Sequence, residues 1–231
     1  IKKDPRWKRA DASYERSHSG GGAWRENRLP SEWRIGYEKL GLEFVIKPMG
    51  FKHTGVFPEQ AANWEWASEK IKNAGRPVKV LNLFAYTGSK GMVATAKENA
   101  ALSGLSTAPI RYIVDDCKKF VEREIRRGNR YDGIIMDPPS YGRGPSGEVW
   151  KLEENIWEFV KLVSQVLSDE PLFFILNSYT TGLSASTMGY MLSQVLEEKY
   201  GGKVNSDELG LKVRATQAPL PCGAVSRWSL E

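Results

Sequence analysis

The hydrophobic pattern changes near residue 78, and from there strand-like and helix-like segments alternate along the chain. Short and nearly continuous apolar runs, typical of buried strands, occur in VKVLNLF, PIRYIVD, YDGIIMD and PLFFILNS. Segments with helical periodicity lie between or after these runs, at residues 89–103, 117–128, 151–167 and 184–199. This alternation predicts an α/β fold whose mostly parallel sheet is covered by helices on both faces.

The last part of the chain has two strand-like runs, near 207–213 and 222–229, with no helical segment between them. They predict an antiparallel hairpin at one edge of the sheet. Before the first strand of the alternating region, a helix is predicted from Pro58 to Gly75, because proline favours a helix start and glycine a helix end.

The first part of the chain has a different pattern. Residues 33–48 alternate apolar and polar positions on both sides of a central turn, which predicts a hairpin. Residues 1–30 are polar and contain Gly20-Gly21-Gly22, which predicts a loop or arm. We therefore expect a basic arm with a β-rich extension over residues 1–57 and a larger α/β domain over residues 58–231.

Composition and charge add a candidate partner. The 231 residues are 41% hydrophobic and 26% charged, as in ordinary globular proteins, and no apolar run is as long as a membrane span. The first thirty residues hold eight Lys/Arg and four acids, so they carry +4 of the net charge of +5. A basic leader favours a polyanion partner, although a solvated tail has the same composition. Two distant cysteines favour a reducing cytoplasm and no metal site.

Two motifs follow predicted strands where α/β proteins bind ligands, beyond the carboxyl ends of parallel strands. The first is Asn82-Leu83-Phe84-Ala85-Tyr86-Thr87-Gly88, whose small residues let the backbone approach a ligand. The second is Asp137-Pro138-Pro139-Ser140-Tyr141, where two prolines stiffen the loop beside a carboxylate. Such a carboxylate can hold a planar group that carries an amine. Each motif also occurs as an ordinary turn, but the pair together favours a functional site.

FAYTG, the acidic pair Asp115-Asp116 and DPPSY together resemble class I S-adenosylmethionine-dependent methyltransferases. More narrowly, they are similar to the bacterial family of large-subunit ribosomal RNA methyltransferases. The resemblance extends to FKHTGVFPEQ, AKENAALSGL, DDCKKFVEREIRRG and LNSYTTGLS, and so spans most of residues 45–185. It implies a Rossmann-like fold, S-adenosylmethionine as cofactor and RNA, above all ribosomal RNA, as partner. It implies neither a metal ion nor a membrane, and the sequence does not indicate the oligomeric state.

The resemblance also assigns roles to individual residues. It implies that the cofactor is bound by Thr54, Gly55, Phe57 and Gln60 as a lid, by Asn82, Phe84, Ala85, Tyr86, Thr87, Gly88 and Ser89 around its methionine end, and by Asp115, Asp116 and Asp137. Of the acidic pair, Asp116 is the expected partner of the adenine amine. The catalytic residues would be Asp137, Pro138 and Pro139, and the substrate would contact Tyr141, Asn177 and Tyr179.

The acceptor atom stays open at this point. Transfer to C5 of cytosine needs a cysteine nucleophile, which the resemblance places after the PLFFILNS strand, where this chain has Asn177-Ser178-Tyr179. Adenine-N6 enzymes usually place an aromatic residue directly after Pro-Pro, whereas here Ser140 intervenes. A ring nitrogen of guanine needs neither feature. A protein or small-molecule acceptor, or an inactive RNA-binding protein of the same fold, is also compatible with the sequence.

One part of the resemblance is missing. In that family the first strand is followed by a helix, a second strand and an acidic residue that binds the ribose, and only then by the helix that SKGMVATAKENA resembles. Here Gly88 is followed directly by Ser89. A helix and a strand need roughly 15–20 residues. We therefore predict that the natural polypeptide has further residues between Gly88 and Ser89; the alternative is a true deletion.

Overall fold

The computed structural model describes residues 4–18, 21–25, 28–49, 53–85, 90–143 and 147–230. The strands, in chain order, are β1 (Ser13–Arg16), β2 (Gly22–Arg25), β3 (Trp33–Tyr37), β4 (Leu42–Ile46), β5 (Val80–Leu83), β6 (Gly133–Met136), β7 (Tyr141–Arg143), β8 (Val149–Lys151), β9 (Phe173–Ser178), β10 (Lys203–Lys212) and β11 (Pro219–Ser229). The α-helices are α1 (Ala61–Asn73), α2 (Lys90–Leu102), α3 (Cys117–Arg126), α4 (Leu152–Ser164), α5 (Ala185–Leu192) and α6 (Glu198–Tyr200). None of the helices in these ranges is long and apolar enough to cross a bilayer.

The chain divides into two compact units. The first comprises Ile1–Phe57 and Gly88–Ile113, and the second comprises Pro58–Thr87 and Val114–Glu231. The boundary after residue 57 coincides with the expected one, but α2 and the segment that follows it belong with the N-terminal unit. The expected division into 1–57 and 58–231 therefore stays a prediction.

A mixed sheet of five strands, in the order β10-β11-β9-β6-β5, forms the centre of the second unit. β5, β6 and β9 are parallel, and β11 and β10 continue the sheet as an antiparallel hairpin. The predicted fold class, a mostly parallel Rossmann-like sheet with an antiparallel C-terminal hairpin, is thereby confirmed. The predicted helix over 184–199 is present as α5, one π-helical turn at Ser193–Glu197, and α6.

Helices cover both faces of this sheet. On one face Leu81, Ile134 and Leu176 pack against apolar side chains of α3, α4 and α5. On the other face Phe173 and Ile175 pack against α1, where the rings of Trp66 and Phe173 meet edge to face at 5.8 Å between centroids. All six residues of β9 are buried, as expected for a central strand with both faces covered.

The short strand β6 depends on a glycine at its start. Gly133 pairs with Phe173 in register, and a Cβ placed on Gly133 would lie 2.5 Å from the Phe173 ring. Just before it, Asp132 accepts hydrogen bonds from the Lys79 amide at 2.8 Å and the Ser168 hydroxyl at 2.9 Å, and it pairs with Arg76 at 2.8 Å. Asp132 thus fixes the amino ends of β5 and β6 in a common register.

In the N-terminal unit, the expected hairpin over residues 33–48 is confirmed as β3 and β4. The free edge of β4 is covered by side chains of α2. Asn99 Oδ1 accepts the Val45 amide and Ser103 Oγ accepts the Glu43 amide, both at 2.9 Å. Satisfying alternate amides in this way protects an edge strand from pairing with other chains.

The expectation of a loop or arm over residues 1–30 is wrong for the part that the structure describes. β1 and β2 form a second antiparallel hairpin. The rings of Tyr14 and Trp24, which are cross-strand partners, meet edge to face at 5.4 Å, and Trp24 Nε1 donates to the Met49 carbonyl at 2.8 Å. Cross-strand aromatic pairs stabilise hairpins, and here the pair outweighs the polar composition of the segment.

The expectation of a strand at PIRYIVD is also wrong. Residues 109–114 pair with no strand in the described part of the chain, and three of their apolar side chains are exposed: Ile110 by 45%, Ile113 by 38% and Val114 by 52%. β5 is likewise paired on one side only, with β6, within the described ranges. A strand sequence without a neighbouring strand cannot satisfy its backbone groups by pairing, so propensity alone does not make it a strand.

We predict that a tryptic map of the natural polypeptide lacks the peptide VLNLFAYTGSK. Cleavage after Lys79 and Lys90 releases it only if Gly88 and Ser89 are bonded. The expected product starts with VLNLFAYTG and continues into new sequence, since an added strand would pair the open edge of β5. Mass spectrometry of the digest identifies either peptide, and recovery of VLNLFAYTGSK would establish the deletion instead.

Candidate active site

The predicted site residues of the second unit gather where its parallel strands end. Asp137 follows β6 directly, Asn177 and Ser178 end β9, and Phe84 follows β5. The register of the three strands brings these ends to one edge of the sheet, and the Asp137 amide still donates to the Leu83 carbonyl at 3.5 Å. This edge is where open α/β sheets bind ligands.

A network of amides joins the start of α1 to the end of β9. Asn63 Nδ2 donates to Asn177 Oδ1 at 2.9 Å and to Gln60 Oε1 at 2.8 Å. Gln60 Nε2 in turn donates to the Tyr179 hydroxyl at 2.8 Å. Asn63 and Asn177 are buried, so the network fixes both side chains and orients Gln60 and Tyr179 at the edge of the sheet.

Arg227 supports this network from the neighbouring strand β11. Its Nε donates to Asn63 Oδ1 at 2.7 Å, and its guanidinium lies over the Trp66 ring at 5.9 Å from the centroid. Burial lowers the pKa of this guanidinium, and Asp207 partly offsets that effect. Because Oδ1 of Asn63 accepts from Arg227, its Nδ2 remains as the donor toward Gln60 and Asn177.

Two carboxylates share this region. Burial raises the pKa of Asp137 to about 6, and the nearby charge of Glu59, itself a buried residue, adds to the shift. Burial also raises the pKa of the Tyr179 hydroxyl, which hydrogen-bonds Glu59 and is affected by the charges of both acids. Tyr179 is therefore protonated at neutral pH and serves as a donor. Asp137 titrates close enough to neutrality to accept a proton and release it again.

The loop after Asp137 is fixed to an aromatic cluster. Trp150 Nε1 donates to the Pro139 carbonyl at 2.6 Å, and the Trp150 ring lies 5.7 Å from Phe84 and 5.6 Å from Phe159 between centroids. Phe84 has a φ of 60°, a left-handed conformation that is rare for a residue with a large side chain and concentrates at functional sites. The turn after β5 is thus strained next to the proline loop.

Comparison with known proteins identifies the family. A structure titled SAM-dependent methyltransferase, from Agrobacterium tumefaciens, is 36% identical, with a TM-score of 0.88, and the match covers 100% of this chain and 80% of that one. This chain belongs to the S-adenosylmethionine-dependent methyltransferases. A Streptococcus mutans structure with a similar title has the same fold, at a TM-score of 0.70 and 18% identity, covering 95% of this chain and 61% of that one. No protein-family model matches the chain.

Relatives known from sequence are longer proteins. A ribosomal RNA large subunit methyltransferase K/L of Shewanella frigidimarina is 28% identical over 151 residues, 57% of this chain and 20% of that protein. A ribosomal RNA large subunit methyltransferase I of Aeromonas hydrophila is 25% identical over 131 residues, 48% of this chain and 32% of that protein. This methyltransferase thus spans about a fifth to a third of the length of these relatives.

Other predicted cofactor residues are distributed over both units of the methyltransferase. Asn82 and Ala85 are exposed at the end of β5, whereas Tyr86, Thr87, Gly88 and Ser89 lie outside the described residues. Thr54, Gly55 and Phe57 belong to the N-terminal unit. There the Thr54 carbonyl accepts the Lys47 amide at 3.0 Å, and Phe57 packs against His53 at 5.2 Å between ring centroids.

The acidic pair, Asp115 and Asp116, has structural contacts within the second unit. Asp116 is the N-cap of α3 and accepts the Lys119 amide at 2.8 Å, while Asp115 pairs with Arg123. An N-cap uses one carboxylate oxygen, so Asp116 keeps a second oxygen for the predicted adenine contact. Next to it, burial raises the pKa of the Cys117 thiol, which makes Cys117 a poor nucleophile.

The site also contains residues that sequence reasoning missed, namely Glu59, Asn63, Trp150 and Arg227. Asn63 follows Gln60 by three residues at a helix start, a spacing that places both on one face and could have suggested the pair. The others carry no comparable signal. Acidic groups and aromatic rings both attract cations, and both occur around Asp137. The residues present therefore fit the positively charged sulfonium of S-adenosylmethionine.

We expect Asp137→Asn to stabilise the protein at neutral pH. The folded-state pKa of about 6 exceeds the unfolded value of about 3.9, so burying the ionised carboxylate costs folding free energy above pH 6 and nothing below pH 4. The variant should gain about 2–3 kcal/mol in unfolding free energy at pH 7.5 and about 1 kcal/mol at pH 4.5, a pH that lies between the two pKa values. Urea unfolding at both pH values measures this.

The exposed carboxylate of Asp169, in the loop before β9, provides the matched control. Asp169→Asn removes the same charge without relieving a buried one, so it should leave the pH dependence of stability as in the wild type. An Asp137→Asn variant whose stability changed equally at both pH values would show that ionisation of Asp137 is not the cause.

Proposed function

We propose that this protein transfers a methyl group from S-adenosylmethionine to a base of RNA, above all ribosomal RNA. The observation that carries the proposal is the half-buried Asp137 after β6, followed by two prolines and placed beside Glu59 and Tyr179, in a chain of this methyltransferase family. Two relatives named as ribosomal RNA large subunit methyltransferases support the RNA acceptor. An RNA substrate implies a location in the cytoplasm.

The charge and aromatic content of the N-terminal unit also favour RNA. Its first thirty residues carry +4, and its two hairpins hold Trp24 and Trp33, each partly exposed and each next to an arginine in the sequence. Basic surfaces interleaved with aromatic rings suit single-stranded RNA, whose unstacked bases pack on rings while its phosphates contact cations. We assign this unit to substrate binding.

The chemistry follows from the groups at the strand ends. S-adenosylmethionine, when bound, supplies an electrophilic methyl group on a positively charged sulfur. Asp137 would accept a hydrogen bond from the N–H of the acceptor nitrogen and so orient its lone pair. Transfer of the methyl group would form an N–C bond and break the C–S bond, whose electrons would remain on the sulfur, and Asp137 would take up the proton that the acceptor nitrogen loses. Positioning and proton transfer are the two contributions expected of the protein here.

Around this step the remaining groups have supporting roles. Tyr179, kept protonated by its surroundings, donates a hydrogen bond at the same edge of the sheet. The amide network fixes the side chains of Gln60 and Asn177 at this edge of the sheet. The Pro138-Pro139 pair limits movement of the Asp137 carboxylate, because each proline fixes its own φ.

We expect Asp137→Ala in the full natural polypeptide to lower methyl transfer to RNA by about 100-fold or more, the usual contribution of an acid–base group. Binding of S-adenosylmethionine should weaken less than methyl transfer does, because Asp137 is one of several residues predicted to bind the cofactor. Transfer of a labelled methyl group to unmodified large-subunit ribosomal RNA, together with calorimetric titration of the cofactor, measures both. Asp169→Ala, which removes an exposed acid, should retain activity.

The acceptor class is tested by offering the wild type RNA, protein extract and small-molecule extract with the labelled cofactor. Label in RNA alone is expected. Label in the protein or small-molecule fraction alone would overturn the RNA assignment while keeping the methyltransferase reaction. Full activity in Asp137→Ala would contradict the assigned role of that carboxylate.

A further inference from the structure

The hairpin β7–β8, which follows the proline loop, has two faces of opposite character. Tyr141 pairs with Lys151, Gly142 with Trp150, and Arg143 with Val149. Since side chains alternate along a strand, Trp150 lies on one face, and Tyr141, Arg143, Val149 and Lys151 lie on the other. We call these the inner and the outer face.

The inner face is fixed to the candidate active site. The Trp150 ring packs on Phe84 and Phe159, and its indole donates to the Pro139 carbonyl. At the end of the hairpin, the Leu152 amide donates to the Ser140 carbonyl at 3.0 Å. The hairpin is therefore rigidly connected to the loop that carries Asp137. Tyr141 follows Asp137 by four positions, so their Cα atoms lie at most about 14 Å apart.

The outer face is exposed and combines a ring with a cation. Tyr141 is 51% exposed, and Arg143 Nε donates to the Tyr141 hydroxyl at 2.7 Å. This contact orients both side chains and leaves the terminal nitrogens of the guanidinium as further donors. Lys151 is paired with Glu154 at 2.7 Å, so Arg143 supplies most of the positive charge that the outer face offers to a ligand.

We infer that the outer face of β7–β8 binds the RNA strand next to the target nucleotide, with a base stacked on Tyr141 and a phosphate bound by Arg143. The inference rests on the proposed RNA substrate and adds a defined contact to it. A planar ring held in place by an arginine suits a stacked base and its phosphate. Its distance from Asp137 suits a nucleotide adjacent to the one that is methylated, and the exposed guanidinium of Arg143 supplies the cation that a phosphate needs.

The test compares Tyr141→Ala, Tyr141→Phe and Arg143→Ala in the full natural polypeptide. The matched control is Arg130→Ala, since Arg130 is an exposed arginine at the amino end of β6, the opposite end of the sheet. Affinity for a single-stranded RNA of mixed sequence is measured over a range of salt concentrations. Binding of S-adenosylmethionine is measured on the same samples and reports whether each variant is folded.

Loss of the ring in Tyr141→Ala should weaken RNA binding about tenfold, whereas Tyr141→Phe, which keeps the ring, should stay within about twofold to threefold of wild type. Arg143→Ala should make the slope of log K against log salt less negative by about 0.7, the value for one phosphate contact on a single strand. Arg130→Ala should keep the wild-type slope, and all four variants should bind S-adenosylmethionine like the wild type.

The possible failures are distinguishable. If the wild type itself binds RNA weakly and without salt dependence, the proposed function is overturned, and the inference about the hairpin with it. If the wild type binds RNA with the expected salt dependence but the hairpin variants match Arg130→Ala, only the hairpin inference is overturned. An equal change in slope for Arg143→Ala and Arg130→Ala would show non-specific attraction and would also overturn it.

Discussion

The position of β6 between β5 and β9 is the constraint on which the candidate site depends. A strand of four residues makes few backbone hydrogen bonds to its neighbours, so side-chain packing and groups at its amino end fix its register. Because Gly133 has no side chain, the Phe173 ring can pack against it. Asp132 accepts hydrogen bonds from the Lys79 amide, Arg76 and Ser168. Because the register is set there, the other end of the strand delivers Asp137 to the edge where β9 ends.

Burying two carboxylates at that edge works against stability. Asp137 and Glu59 have no cationic partner in any ion pair of the described residues, and partial burial together with the charge of Glu59 raises the pKa of Asp137. The amide network of Asn63, Gln60 and Asn177 supplies the rigidity that such a site needs, and Arg227 stabilises the network without neutralising the acids. Local destabilisation of this kind is common where a group must titrate near neutral pH.

Much of the fold of the second unit follows from its sequence, because buried parallel strands have continuous apolar runs that need no partner to be recognised. Two wrong expectations and one hairpin that the sequence did not predict have a common cause, since each depends on contacts between segments. The hairpin β1–β2 is stabilised by Tyr14 against Trp24, and β7–β8 by Trp150 against the core, although all four strands are short. Residues 109–114 show the reverse, a strand sequence without a partner.

The site was predictable to a similar degree and for a similar reason. Asp137 is a candidate from the sequence because it directly follows a recognisable strand, whereas Asn177 and Tyr179 are candidates through the family resemblance, and their roles stay predictions. Glu59 and Arg227 were not predicted from the sequence. A buried acid in a helical turn and an arginine on an antiparallel strand can be recognised as site residues only from their contacts in the folded structure.

Asp137 and the outer face of β7–β8 lie on one short segment but require opposite degrees of solvent exposure. The raised pKa of Asp137 requires shielding from solvent, whereas the proposed contact of Tyr141 with RNA requires exposure, and only three residues connect the two. A flexible connection would let the hairpin move independently of the carboxylate. Pro138 and Pro139 restrict the connection from within, and the Trp150 indole holds it from outside through the Pro139 carbonyl. The Pro-Pro sequence therefore connects Asp137 rigidly to the exposed outer face of β7–β8. This role depends on two successive prolines and on the hydrogen-bonded carbonyl of Pro139, and not on a reactive side chain.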